Sequence, residues 1–61
     1  MNYDRYAELR DERGLNDYKV SQALGFSPST LSDWKAGRYT PKVDKLKAIA
    51  ELFEISLEEL L

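Results

Sequence analysis

The sequence predicts an all-α fold: a compact arrangement of five short helices with no strand. Three observations carry that expectation. Apolar residues recur three and four apart with no alternating run, Gly and Pro punctuate the chain at short intervals, and Ser, Thr and Asn stand where helices would begin. Sixty-one residues make one domain at most, expected over 1–61. That is near the lower limit at which a single core holds a chain without staples.

Each element has its own signals. Tyr3, Tyr6, Leu9 and Arg13 share one helical face, with Asn2 as N-cap and Gly14 as a left-handed stop. Asn16 caps a second helix over about 17–24, whose inward positions are Val20 and Leu24 with Ala23 beside them; Gly25 ends it. The third helix, about 28–36, has the best-marked start. Ser27 offers an N-cap oxygen, and Pro28 fits the first helical position, where its missing N–H costs nothing. Leu31 and Trp34 then face inward, and Gly37 stops the helix. Thr40 and Pro41 repeat that start before a fourth helix with Val43, Leu46, Ile49, Ala50 and Phe53 on one stripe. Last, Ser56 and Glu59 have the spacing of a capping box ahead of Leu57, Leu60 and Leu61.

Composition narrows the function. The chain has no cysteine and no histidine, which removes disulfides, thiolate metal sites, the usual zinc ligands and the commonest general base. Asp and Glu are scattered at surface-helix spacing, and no glycine-rich phosphate loop is present, so an enzyme is not expected, and neither is a cofactor, a metal or a small-molecule substrate. No apolar run approaches the roughly 20 residues that span a bilayer. The start, MNYDRYAELRDERG, lacks the apolar stretch of a signal peptide, so the expectation is a cytoplasmic protein without a membrane partner. The net charge of −2 hides an uneven distribution. Lys35, Arg38, Lys42, Lys45 and Lys47 lie close together with only Asp44 among them, whereas Glu51, Glu54, Glu58 and Glu59 follow with no base.

The stretch VSQALGFSPSTLSDW joins the second and third helices by about three residues, with Gly25 for the turn and Phe26 to pin it from inside. So short a connection forces a steep crossing, roughly 90 to 120°, which is a helix-turn-helix. The second helix of such a pair is pushed out where it can enter a major groove.

Over nearly its whole length the chain resembles the phage repressor and Cro type (XRE-type) helix-turn-helix domains. The resemblance runs through LRDERGLNDYKVSQALGFSPSTLSDWKAGRYTP and then KLKAIAELFEISLEELL, with Leu9, Arg10, Gly14, Leu15, Val20, Leu24, Gly25, Phe26, Leu31, Trp34, Gly37 and Pro41 at the family's positions. It implies a five-helix, lambda-repressor-like domain that binds operator-like DNA as a dimer, with the third helix as the reading helix. The chain also departs from the pattern. Asp17 replaces a Gln that helps hold a phosphate, Ala36 replaces an Asn, and Lys35 stands where an acid often pairs with Arg10. Asp17 suits a helix N-terminus but repels a phosphate.

Phosphate contact is therefore expected from Tyr18 and Lys19 at the start of the second helix and from Lys35, Arg38, Tyr39 and Lys42 around the loop after the third. Pro28, Ser29, Ser32 and Asp33 are the base-reading candidates. Serine discriminates weakly, Pro28 offers apolar contact only, and Asp33 can accept from a cytosine amino group. The spacing of Trp34 from Leu31 points to core packing rather than base stacking. The C-terminal stretch has two readings. It closes the core through Leu57 with its glutamates solvated, or Leu57, Leu60 and Leu61 leave an apolar edge for a second copy of the chain on DNA. Two functions are in competition: a sequence-specific regulator of transcription bound to double-stranded DNA, a repressor of bacterial or phage origin, and an antitoxin-like or adaptor module with the same fold and a protein partner.

Overall fold

Each α-helix of this chain stops at a residue with positive φ, and these stops decide where the next helix begins. The computed structural model describes residues 3–61, in the order α1 (Tyr3–Glu12), α2 (Asp17–Leu24), α3 (Pro28–Lys35), α4 (Val43–Phe53) and a 3-10 turn (Leu57–Leu60). Asn2, the expected cap of α1, lies outside the described residues. The stops are Gly14, Gly25, Gly37 and Glu54. Across each, a backbone N–H reaches back five residues, from Leu15 to Arg10, Phe26 to Ser21, Arg38 to Asp33 and Ile55 to Ala50, at 2.9–3.1 Å. This is the closure of a Schellman turn, which satisfies carbonyls that the helix leaves open. Leu15, Phe26 and Ile55 fold onto the core as a result.

The core draws on every element: Tyr6 and Leu9 from α1, Val20 from α2, Leu31 and Trp34 from α3, four residues of α4, and Leu60. Tyr6 is at its centre and is fully buried. Its ring lies 5.1 Å from that of Trp34 and 5.9 Å from that of Phe53, stacked on the latter at 14°. Tyr3 closes the cluster with its ring edge-on to Trp34 at 5.4 Å. Such aromatic contacts add directional preference to apolar burial.

The polar ends of these tyrosines meet Asp17, the first residue of α2. The Tyr3 hydroxyl donates to Asp17 Oδ2 at 2.7 Å, and the Tyr6 hydroxyl and Arg10 Nη1 donate to Oδ1 at 2.8 Å each. Partial burial works to raise the Asp17 pKa, but the bonds from Tyr3, Arg10 and Tyr6 together with the Arg10 charge outweigh it and hold the carboxyl below its ordinary range. Burial, helped by the adjacent carboxylate, pushes the Tyr6 phenol up, so it remains a donor. Elsewhere Arg13 spans two helix ends, donating to the carbonyls of Leu9 at 2.9 Å and Phe53 at 2.8 Å with its guanidinium over the Phe53 ring.

Several expectations need correction. The fifth element is a single 3-10 turn rather than a helix. The capping box does not form: the Ser56 hydroxyl makes no cap bond, and the Glu59 carboxylate is drawn to Arg5 at 2.7 Å. In a 3-10 turn residues three apart eclipse, which puts Leu57 and Leu60 on one side. Leu60 is consequently fully buried and only Leu61 stays exposed, so Leu60 is not part of an apolar edge. Ser27 occupies the N-cap of α3 without a side-chain cap bond. Its hydroxyl meets Thr30 Oγ1 at 3.0 Å, while the Thr30 N–H is taken by the Ser27 carbonyl. Thr40 and Pro41 do not open α4: Pro41 is buried, the backbone stays extended through Lys42, and the helix starts at Val43. In α2 the inward small residue is Ser21, whereas Ala23 is exposed and Leu24 half-buried. The Asn16 cap forms as expected, accepting from Lys19 N–H at 2.8 Å.

Two tests follow from these contacts. Asp17→Ala strips the Tyr6 hydroxyl and Arg10 of their common acceptor and is expected to cost about 2–3 kcal/mol in denaturant unfolding; a loss below about 0.5 kcal/mol would mean that the cluster carries no weight. Because the folded chain lowers the Asp17 pKa, its contribution is complete above the ordinary value of 3.8 and disappears as pH falls through the folded value. The stability of the wild type should therefore decline more steeply in that acid range than that of Asp17→Asn. At the other end of the core, Glu54 holds φ 58° without being glycine. Relief of that strain by Glu54→Gly should raise stability by about 1 kcal/mol, or roughly 4–8 °C in Tm; an unchanged or lower Tm would contradict it.

Candidate nucleic-acid interface

Burial of one face of α3 determines what its other face offers. Leu31 and Trp34 are sunk in the core, and Pro28, Ser29 and Ser32 are exposed on the opposite side. α2 and α3 are joined by Gly25, Phe26 and Ser27 alone. The half-buried Phe26 anchors that turn, with Lys45 Nζ of α4 at 4.9 Å from its ring centre. The reading helix expected from sequence is thus rooted at both ends, by the Phe26 turn before it and Trp34 within its last turn.

Between α2 and α3 lies an open groove of about 210 Å³. Tyr18, Ser21, Gln22, Phe26, Pro28 and Ser32 line it, together with Asp17. The structure thereby brings together Tyr18, a phosphate candidate, with Pro28 and Ser32, two base-reading candidates. Gln22 belongs to the same surface and was not singled out by the sequence. Its Nε2 donates to the Tyr18 hydroxyl at 3.0 Å, and the i,i+4 spacing from Tyr18 was the signal that would have found it. Ser32 Oγ donates to the Ser29 carbonyl at 3.2 Å, which leaves its oxygen lone pairs available as acceptors. Ser29 is close to Ser27, Oγ to Oγ at 3.4 Å.

The remaining candidates form a rim. Lys19 is exposed in the first turn of α2, Lys35 in the last turn of α3 and Lys42 at the N-cap of α4, and Tyr39 is half-buried between the latter two in sequence. Asp33 and Arg38, assigned separate roles by the sequence, are bonded to each other: Arg38 Nε and Nη2 reach Asp33 Oδ1 at 3.2 and 2.9 Å. Asp17 also differs from expectation. Its charge is matched by Arg10 and its oxygens are filled by Tyr3, Tyr6 and Arg10, so it is a structural anion and not a bare acid at the mouth of the groove. Arg10, with Lys35 standing where an acid was expected late in α3, finds its partner here. Among the described residues no helix is long and apolar enough to cross a membrane.

Comparison with known proteins agrees with this geometry. The family model for Helix-turn-helix matches residues 7–60. The chain is 33% identical over 61 residues to the HTH-type transcriptional regulator AnsR of Bacillus subtilis (strain 168), covering all of this chain and 53% of that protein. It is 38% identical over 55 residues to the uncharacterized HTH-type transcriptional regulator y4dJ of Sinorhizobium fredii, covering 90% of this chain and 71% of that protein. The cryptic phage CTXphi transcriptional repressor RstR of Vibrio cholerae is 27% identical over 60 residues, covering 98% of this chain and 54% of that protein. The chain therefore spans about half the length of AnsR and of RstR. No solved structure is a significant match. With a short-turned α2 and α3 pair at its centre and a family match over almost all of its length, this chain belongs to the helix-turn-helix family, of the phage repressor and Cro type.

Proposed function

We propose that this chain is the sequence-specific DNA-binding part of a bacterial or phage transcriptional regulator that works as a repressor in the cytoplasm. The observation that carries the reading is the outward face of α3, where small polar groups stand clear of the core within a rim of exposed lysines. A major groove is wide enough to admit such a helix. The names of AnsR, a transcriptional regulator, and RstR, a transcriptional repressor, support the same role. Repression asks only that a site be occupied, which a domain of this size can do.

In this reading residues 1–61 form one domain, α3 is the recognition helix, and Pro28, Ser29, Ser32 and Asp33 meet base edges. Tyr18, Lys19, Lys35, Tyr39 and Lys42 hold the flanking phosphates. Arg38 was expected among them, but its bond to Asp33 supports a different use. A second copy pairs through exposed Leu61 with half-buried Leu57 beside it, and buried Leu60 takes no part. The neutralised Asp17 removes the main electrostatic objection to a phosphate near α2.

Selection from a random duplex pool tests the reading. It should enrich a palindrome whose half-sites are about one helical turn apart. Affinity for that site should fall with salt at a log–log slope of about 0.9 per phosphate contact. Lys35→Ala and Lys42→Ala should each weaken binding to all sequences and reduce the slope by about 0.9, whereas Ser29→Ala and Ser32→Ala should change preference between sequences. No enrichment, or a flat salt dependence, would favour a protein partner over DNA.

A further inference from the structure

The four α-helix ends share one backbone closure, and three of them share one side-chain outcome. Leu15, Phe26 and Ile55, the residues whose N–H groups complete the turns after α1, α2 and α4, are apolar and pack against the core. An apolar contact of this kind is the common companion of a Schellman turn. After α3 the equivalent residue is Arg38. Gly37, at φ 79°, turns the backbone so that Arg38 N–H bonds the Asp33 carbonyl at 2.9 Å. The same turn brings the guanidinium back over the side chain of that residue.

The two side-chain bonds are asymmetric. Nε and Nη2 both reach Oδ1 of Asp33, and among the described residues Oδ2 accepts no hydrogen bond. The Asp33 side chain retains 35% exposure and that of Arg38 68%. An ion pair so exposed adds little to stability, and the turn is already closed by its backbone bonds. Its physical effects are on the carboxylate: it restrains the rotamer of Asp33 and offsets a negative charge that would otherwise repel nearby phosphates.

We propose that Arg38 is a positioning residue for base recognition, holding Asp33 by Oδ1 so that Oδ2 accepts a hydrogen bond from the exocyclic amine of a cytosine in the major groove. The inference rests on the DNA-binding reading given above. Arg38 then governs which base is chosen at one position and is not a phosphate ligand. A carboxylate is suited to this task because it only accepts, and among base edges in the major groove cytosine presents an amino donor without an adjacent acceptor.

The test combines selection from a random duplex pool with binding to a fixed non-cognate duplex, for wild type, Asp33→Ala, Arg38→Ala, Arg38→Lys and the double Ala variant. Thermal melts establish that each is folded. Asp33→Ala and Arg38→Ala should lose cytosine preference at the same position, by roughly fivefold or more, and the double variant should lose no more than either. Arg38→Lys keeps the charge without the two-pronged geometry, so it should keep non-cognate affinity while recovering only part of the preference. Arg38→Ala should bind the non-cognate duplex more weakly, because Asp33 is left bare, and adding Asp33→Ala should restore that binding. If Arg38→Ala instead weakens all duplexes alike, with a salt slope lower by about 0.9 that Asp33→Ala does not restore, Arg38 is a phosphate ligand and the inference fails. A cytosine preference unaltered by Asp33→Ala overturns it as well. In both cases the wild type still enriches a site. A wild type that enriches no sequence overturns the DNA-binding reading and this inference together.

Discussion

The four α-helices meet at the side chain of Tyr6. Its ring leans on Trp34 of α3 and Phe53 of α4, and its hydroxyl bonds Asp17 at the start of α2. A phenol satisfies both demands at once, since the ring needs an apolar surround and the hydroxyl needs an acceptor when buried. Asp17 supplies that acceptor, and its own charge needs a counterion, which Arg10 provides from one turn beyond Tyr6 on α1. Removing Asp17 leaves the buried Tyr6 hydroxyl without its acceptor, which costs more than the bond contributes. The orientation of α3 depends on this cluster because Trp34, which roots α3, packs on the same ring.

Chain reversal at the helix ends completes the positioning. A turn that bonds back across a left-handed residue points the following side chain inward, and Leu15, Phe26 and Ile55 use that direction to seal the core. The three-residue link between α2 and α3 works because Phe26 is both the end of one turn and a core anchor. After α3 the same geometry delivers a charged group to the surface of the helix that carries the candidate reading face. One backbone device thus serves packing at three sites and side-chain placement at a fourth.

Much of the scaffold was legible in the sequence because it is local. Asn16 three residues before Lys19, Pro28 at the first position of α3, and Leu31 with Trp34 on one face are decided within a turn or two of chain. What was not legible depends on contacts distant in sequence. Glu59 has the spacing of a capping box, yet it pairs with Arg5, 54 residues away. Thr40 and Pro41 look like a helix start, but burying Pro41 delays the helix by two residues. Asp17 reads as an acid in the wrong place until the tyrosines of α1 fold over it. At the candidate interface, Pro28, Ser29 and Ser32 followed from helical periodicity. The pairing of Asp33 with Arg38 did not, because its cause is the turn at Gly37 and not the helix itself.

The proposed DNA-binding role puts the duplex on the surface made by α3, the start of α2 and the lysine rim, with the Tyr6 cluster as the fixed base behind it. Amide chemical-shift mapping during titration with a duplex would test this most directly. The perturbed amides should belong to Tyr18, Lys19, residues 29–33 and the non-proline residues from Lys35 to Lys42, with those of Glu58 and Glu59 unmoved. Perturbations centred on the acidic C-terminal stretch, with α3 silent, would contradict it.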